Sequence, residues 1–499
     1  MDKIPPALIK PEIRYTKLFI NNEWVDSKDG STFATYNPST EEKNADVAEG
    51  KEADIDAAVQ AAKAAFAPGA AWRKMDASYR GVLLNRFADS IEKDAQYIAS
   101  LECFDNGKLY DSLLKFDVPY SISIIRYFAG WADKYHGKTI PFDGDYFCYT
   151  KHEPVGICGA ILPWNVPIIM FTMKFAPCVA MGNVLIVKPS ENTPLSALYL
   201  ASLAKEAGFP PGVLNVVPGF GKTAGHALSH HMEVDKISFT GSGVTGRLIQ
   251  KASADSNLKR VSLELGGKSP NIVFSDVDID EAVSLASNAM FVHNGQTCLA
   301  GSRTFVHEDI YEEFVKKSVE KAKSLKIGEP EDVSTEIGPL ISKIQEDRVL
   351  GLLKSGVEEG AKVMCGGKKM EGKKGFYIEP TVLTGLCDDM KVSKEEIFGP
   401  VQQIYKFKDV NEVIERANNT RYGLVAGVIT NDVNKVMAIS NALRAGTVWV
   451  NCYFVLSPGN PFGGFKESGI GRENGEYVLS QYTEVKTVIM KIPGSGAQV

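Results

Sequence analysis

Paired cysteines are absent from this sequence. Its eight cysteines stand at 103, 148, 158, 178, 298, 365, 387 and 452, and no two form a C-x-x-C pair. That scatter excludes a disulfide scaffold and argues against a zinc ribbon, so no metal is expected. A basic excess is absent too. The 55 Lys and Arg are outnumbered by 61 Asp and Glu, giving a net charge of −6. A general nucleic-acid binder needs a strongly basic face, so no nucleic-acid partner is expected. Long uninterrupted apolar runs are missing as well. The stretch 157–173 is broken by Pro163, Asn165 and Pro167, so no membrane span is expected. The start, MDKIPPALIK, carries neither a secretory nor a transit pattern, and a cytoplasmic location is the expectation.

What is present fits a soluble globular chain of several domains. Hydrophobic residues make up 44% of the 499 residues and charged residues 23%. Ile55, Val59, Ala62 and Phe66 recur at helical spacing, which predicts a helix over 52–66, ended by Pro68 and Gly69. Ile310, Phe314, Val315, Val319 and Ala322 predict another over 308–325. Short apolar runs at 156–162, 184–187, 213–217, 236–239, 261–263 and 271–274 read as buried parallel strands. Ligands of such sheets bind beyond the carboxyl ends of the strands, so chemistry is sought just after each run. Stretches 140–154 and 484–492 read as outlying strands. The last can pair with its own sheet or with another subunit.

Seven short segments carry polar or glycine-rich chemistry in apolar surroundings. In FTGSGVTGR (239–247), Gly241 and Ser242 turn the chain into a helix whose free N–H groups suit a phosphate; a plain strand–turn–helix junction has the same pattern. In KPSENTP, Lys188 and Glu191 follow a strand and can reach ribose hydroxyls, or form an ordinary charged loop. In LELGGKSPN, Glu264 lies between Leu263 and Leu265, company that raises a carboxyl pKa; a salt-bridged structural glutamate is the alternative. In NGQTCLAGSR, Cys298 lies in a small polar loop, unlike Cys178 in FAPCVAMG, and is the best nucleophile candidate of the eight. In ILPWNVP, Asn165 can donate to an oxyanion or merely shape a turn. KEEIFGP offers Glu396 and Phe398, and PFGGFKESGIGRE is a dense glycine loop or a connector.

In this order, the motifs closely resemble those of the aldehyde dehydrogenase superfamily. The resemblance runs from INNEWVDS (20–27) to YTEVKTV (482–488), and is nearest to the animal tetrameric branch that includes the retinal dehydrogenases. It implies an α/β fold. A Rossmann-type parallel sheet forms the NAD domain (1–131 and 155–266), 267–466 form an α/β catalytic domain, and 132–154 with 467–499 form a small β bridging domain. It favours intersubunit pairing of the terminal strand, in a homotetramer built as a dimer of dimers.

The resemblance also assigns roles. Cys298 is the nucleophile, Glu264 the general base and Asn165 the oxyanion donor, with Lys174 and Glu473 a buried proton-relay pair. NAD contacts fall on Ile161, Leu162, Pro163, Trp164, Lys188, Glu191, Gly221, Gly241, Ser242, Leu265, Gly266, Gln345, Arg348, Glu396 and Phe398. The aldehyde tunnel falls on Tyr120, Val166, Met170, Met173, Val292, Phe454, Leu456 and Phe462. Small side chains at Val166, Met173, Val292 and Leu456 point to a wide tunnel for a fatty or retinal-like aldehyde, whereas Tyr120 narrows the mouth. The chain departs from the family pattern at His293-Asn294-Gly295, where relatives usually carry Asn-Gln-Gly, and at Gly243-Val244-Thr245. Rival readings are a small-aldehyde detoxifying enzyme, a CoA-acylating dehydrogenase, or a lens crystallin-type structural member. Retention of Glu264 and Cys298 argues for hydrolysis and activity.

Overall fold

The computed structural model describes residues 4–493. The first predicted helix runs Glu52–Phe66, with Ile55, Val59 and Ala62 fully buried on one face. Asp54 starts it by accepting from the Lys51 backbone N–H at 2.9 Å. The second runs Tyr311–Ser324 after a short 3₁₀ turn at Glu308–Ile310.

Three sheets matter to function. The first has eight strands, in the order Gly469–Ile470, Arg260–Glu264, Lys236–Thr240, Ile157–Ile161, Val184–Lys188, Leu214–Val216, Leu18–Ile20, Glu23–Val25. Its central strands are parallel, and Val184–Lys188 is buried at every position, as a strand covered on both faces must be. Chain order reverses between Ile157–Ile161 and Lys236–Thr240. Such a reversal opens a crevice beyond the carboxyl ends, here between 162–164 and 241–242.

The second sheet is seven-stranded: Lys362–Cys365, Thr381–Thr384, Val401–Phe407, Arg303–His307, Pro270–Val273, Val425–Ile429, Thr447–Val450. All its pairings are parallel except that of Lys362–Cys365. The chain passes from the first sheet to the second through 265–269, directly after Glu264. The carboxyl edge of the first sheet is thereby joined to the amino edge of the second.

The third sheet joins the two stretches read from the sequence as outlying strands. Thr483–Lys491 pairs antiparallel with Tyr146–Pro154 of its own chain along its whole length, so the terminal strand finds its first partner intramolecularly. Buried and exposed positions do not alternate along it, since Thr483 is buried and the following residues are mostly exposed. The pairing rests on an unbroken nine-residue register from Thr483 opposite Pro154 to Lys491 opposite Tyr146. Thr483–Lys491 is nevertheless an edge of this sheet, and Val485 and Ile489 on it are exposed.

Candidate active site

Cys298 comes from a loop that enters the second sheet at its amino edge. The loop is clamped from both sides. Asn294 Nδ2 donates to the Pro339 carbonyl at 2.7 Å, and Asn294 Oδ1 accepts from Gly338 N at 3.1 Å. Gln296 Oε1 accepts from Ile341 N at 3.0 Å. His293 and Asn294 are both held in the left-handed region, at φ 50° and 55°. Two successive non-glycine residues there store backbone strain that the clamps maintain.

Asn165 follows the strand Ile157–Ile161 and precedes the helix Pro167–Ala180. Its Nδ2 donates to the Gln296 carbonyl at 2.9 Å, which ties the first-sheet crevice to the cysteine loop. Glu264 ends the strand Arg260–Glu264 and is buried, with Oε2 lacking a hydrogen-bond partner. Burial raises its carboxyl well above the usual range, and the neighbouring Glu473 adds to this, opposed by Lys174 and Arg472. Lys174 and Glu473 form a buried ion pair, and Lys174 also donates to Ser238 Oγ at 3.1 Å. Burial likewise raises the Cys298 thiol, followed by the charges of Glu396 and Glu264.

Two cavities meet at Cys298. One, of about 430 Å³, occupies the crevice. It is lined by Pro163, Trp164, Gly241, Ser242, Leu265, Gly266, Gln345, Arg348, Glu396 and Phe398, with Asn165, Glu264 and Cys298 at its inner end. The helix Gly243–Asp255 starts on it, capped by Ser242, whose Oγ accepts from Thr245 N. Glu396 is anchored by Gly267 N at 2.9 Å, and burial pushes its carboxyl up to about 7. Arg348 Nη2 donates to the Glu396 carbonyl at 2.7 Å, and Gln345 Nε2 to the Phe398 carbonyl at 2.8 Å. Phe398 itself is left-handed at φ 60° and meets Trp164 edge-on at 5.3 Å.

The remaining sequence candidates lie beside this cavity rather than on it. Ile161 and Lys188 are in register on adjacent strands, and Leu162 N donates to the Lys188 carbonyl. Lys188 Nζ donates to the carbonyls of Gly219 at 2.6 Å and Pro189 at 2.8 Å, and to Glu191 at 3.5 Å. Its donors therefore already have internal partners. Gly221 is exposed and opens the turn Gly221–Gly225, whose Gly225 packs on the Lys188 stem.

The second cavity, about 380 Å³, is lined by Tyr120, Val166, Met170, Met173, Val292, Phe454, Leu456 and Phe462 together with Asn165 and Cys298. Sequence reading missed several of its wall residues, among them Lys108, Phe116, Tyr453 and Asn474, and Arg247 and Tyr422 of the first cavity. Arg247 ends the FTGSGVTGR segment and Asn474 directly follows PFGGFKESGIGRE, whereas Lys108, Phe116, Tyr422 and Tyr453 sit in segments with no motif of their own.

Comparison with known proteins agrees with this geometry. Residues 24–488 match the aldehyde dehydrogenase family. The chain is 57% identical over 492 residues to aldehyde dehydrogenase 1A1 of Gallus gallus, covering 98% of this chain and 96% of that protein. It is 57% identical over 490 residues to retinal dehydrogenase 2 of Homo sapiens, covering 98% and 94%. An NAD⁺ complex of an aldehyde dehydrogenase from Bacillus cereus superposes with a TM-score of 0.94 at 49% identity, covering 96% of this chain and 97% of that one. The chain belongs to the aldehyde dehydrogenase family.

Proposed function

We propose that the protein oxidises a long or bulky apolar aldehyde to its carboxylic acid with NAD. The observation that carries this reading is the position of Cys298, with Asn165, in the shared wall of two cavities. One cavity suits a dinucleotide. A helix starts on it with Gly243 and Val244 in its wall and no acid in its first turn, an arrangement that favours phosphate. At Gly266 a Cβ would lie 2.2 Å from a Glu396 carboxylate oxygen, so only glycine leaves Glu396 its place in that wall. Glu396, Gln345, Arg348 and Phe398 would hold the nicotinamide end, Gly241 and Ser242 the phosphates, and Glu191 the adenosine ribose, together with Lys188 once it exchanges one of its three internal hydrogen bonds for a ribose hydroxyl. NAD, when bound, supplies the two-electron acceptor.

The chain's own residues do the rest. The Cys298 thiolate adds to the aldehyde carbonyl, and the carbonyl oxygen becomes an alkoxide. The Asn165 amide and the Cys298 backbone N–H donate to that oxygen as its charge develops. Oxidation of the adduct leaves a Cys298 thioester. Glu264 takes a proton from water, the hydroxyl adds to the thioester carbon, and the cysteine sulfur leaves with its bonding pair. The carboxylic acid departs and Cys298 is restored. Lys174 and Glu473 relay the proton from Glu264.

Val166, Met173, Val292 and Leu456 leave the second cavity wide, which supports a bulky substrate; a relative at 57% identity is named a retinal dehydrogenase. The test is an NADH-absorbance assay with acetaldehyde, decanal and retinal. Decanal or retinal should show the higher kcat/KM, and a clear preference for acetaldehyde overturns the wide-tunnel reading. Cys298→Ala should abolish NADH formation; turnover above a few per cent of wild type removes Cys298 from its role.

The same reading divides the chain into an NAD domain (1–131 and 155–266), a catalytic domain (267–466) and a bridging domain (132–154 and 467–499). It makes the exposed edge at Thr483–Lys491 a contact within a homotetramer in the cytoplasm. No helix among the described residues is long and apolar enough to cross a membrane.

A further inference from the structure

One hydrogen-bonded pair of polar residues in the wall of the aldehyde cavity has no part in the chemistry above. Asn474 Nδ2 donates to Tyr120 Oη at 3.0 Å, and both residues line the cavity that ends at Cys298. Asn474 is 2% exposed and Tyr120 8%. The same cavity is lined by the apolar Met170, Met173, Phe454 and Phe462 and by polar residues that include Ser112 and Thr297. The pair is only partly satisfied. Because Tyr120 Oη accepts from Asn474, its own proton is free to donate, and no acceptor for it is found among the described residues. The Asn474 carbonyl oxygen is buried without a partner. A half-satisfied buried polar pair costs stability that a leucine and a phenylalanine would not. Two features hold the phenol in place. Phe116 stacks on the ring with centroids 5.4 Å apart and planes 15° apart, and Asn474 fixes the oxygen. Burial pushes the phenol up to about 12, so it keeps its proton at neutral pH.

We propose that Tyr120 is a specificity-determining residue that donates a hydrogen bond to a hydroxyl on the aldehyde's chain, with Asn474 as the positioning residue that aims it. The substrate class is then an aldehyde with an apolar chain that carries a hydroxyl away from the reacting carbonyl. This deepens the aldehyde-oxidising reading and rests on it. A site built to hydrogen-bond a hydroxyl discriminates strongly against the analogue lacking it, because the site's own polar group is left unpaired.

The experiment compares octanal with 3-hydroxy-, 7-hydroxy- and 8-hydroxyoctanal under NADH readout, in wild type, Tyr120→Phe and Asn474→Leu. The quantity read is the ratio of kcat/KM for each hydroxyaldehyde to that for octanal within one variant. In wild type at least one isomer should exceed octanal by about tenfold, mainly through KM. In Tyr120→Phe, which keeps the stacked ring, that ratio should fall to about one; in Asn474→Leu it should fall below half the wild-type value. Octanal turnover in each variant shows that the variant is folded. The inference is overturned if octanal is oxidised but no isomer is preferred, or if the preference survives in Tyr120→Phe. Failure of the wild type to oxidise any of the four aldehydes overturns the parent reading as well.

Discussion

The side-chain amide of Asn165 donates to the backbone carbonyl of Gln296 at 2.9 Å, two residues before Cys298. One amide N–H is thereby fixed, and in the proposed mechanism the other donates to the alkoxide formed at Cys298. A donor aimed where charge develops contributes about 10²–10³ in kcat. Asn165→Ala should therefore lower kcat by about 10²–10³, measured as steady-state NADH formation at saturating aldehyde.

Glu264 is assigned to the hydrolytic half of the reaction. Glu264→Gln should leave a rapid burst of NADH in the first turnover and slow the steady state by about 10²–10⁴, the range of general-base effects. Stopped-flow absorbance checks this. In wild type the pH dependence has a definite sign. Only ionised Glu264 acts as base, and burial and Glu473 raise its pKa. The acid limb of kcat should therefore lie well above the ordinary carboxylate range, and activity should rise with pH through it.

Glu191 lies within 3.5 Å of Lys188 at the carboxyl end of a first-sheet strand. On the proposed placement of the adenosine ribose, its charge would repel a 2′-phosphate. Glu191→Gln should raise the NADP-to-NAD ratio of kcat/KM by about tenfold, equivalent to ~1.4 kcal/mol. Steady-state kinetics with both dinucleotides checks this.

Lys174 and Glu473 are paired with almost no solvent contact, and Glu473 Oε2 has no further partner. Removing one member strands the other charge. Lys174→Met should destabilise by about 3–5 kcal/mol, while Lys174→Met with Glu473→Leu should recover most of that loss. Urea unfolding of the single and double variants measures both.

Two buried carboxyls impose a pH dependence on stability. Burial pushes Glu102 up to about 8 and Asp105 up to about 7, although they accept from the backbone N–H groups of Ile168 and Leu195. Between the unfolded value near ~4 and these folded values, the folded state holds protons that the unfolded state has lost. Stability should therefore fall as pH rises from about 4 to 8. Glu102→Gln should flatten part of that fall, seen as a smaller drop in urea midpoint between pH 5 and pH 8.

Local signals served where chemistry follows local structure. The helix over 52–66 was legible because Ile55, Val59 and Ala62 mark one face. Glu264, Gly241 and Ser242 were legible because they end or follow first-sheet strands, where an open parallel sheet presents its ligands. The rule fails for the second sheet. Cys298 precedes its strand Arg303–His307, and Glu396 and Phe398 precede Val401–Phe407. The small polar, glycine-flanked loop marked Cys298, and the Gly-Pro turn that follows them marked Glu396 and Phe398, not their place relative to a strand. Tyr120 and Asn474 show the limit: 354 residues apart, in segments without a shared motif, they become a hydrogen-bonded pair only through packing.

The sequence by itself determined the residue chemistry: one cysteine in a polar loop, one glutamate in apolar company, a helix start after a Gly-Ser turn, and an order of motifs that resembles one superfamily. Tertiary structure decided which of these groups meet. It set the carboxyl edge of one sheet against the amino edge of another through 265–269, and so made Cys298 and Asn165 the shared wall of two cavities. It also gave the terminal strand a partner in its own chain. The physical reason is range. Propensity, capping and alternation act over a few residues, whereas burial, pKa shifts and cavity walls depend on which distant segments fill the same space.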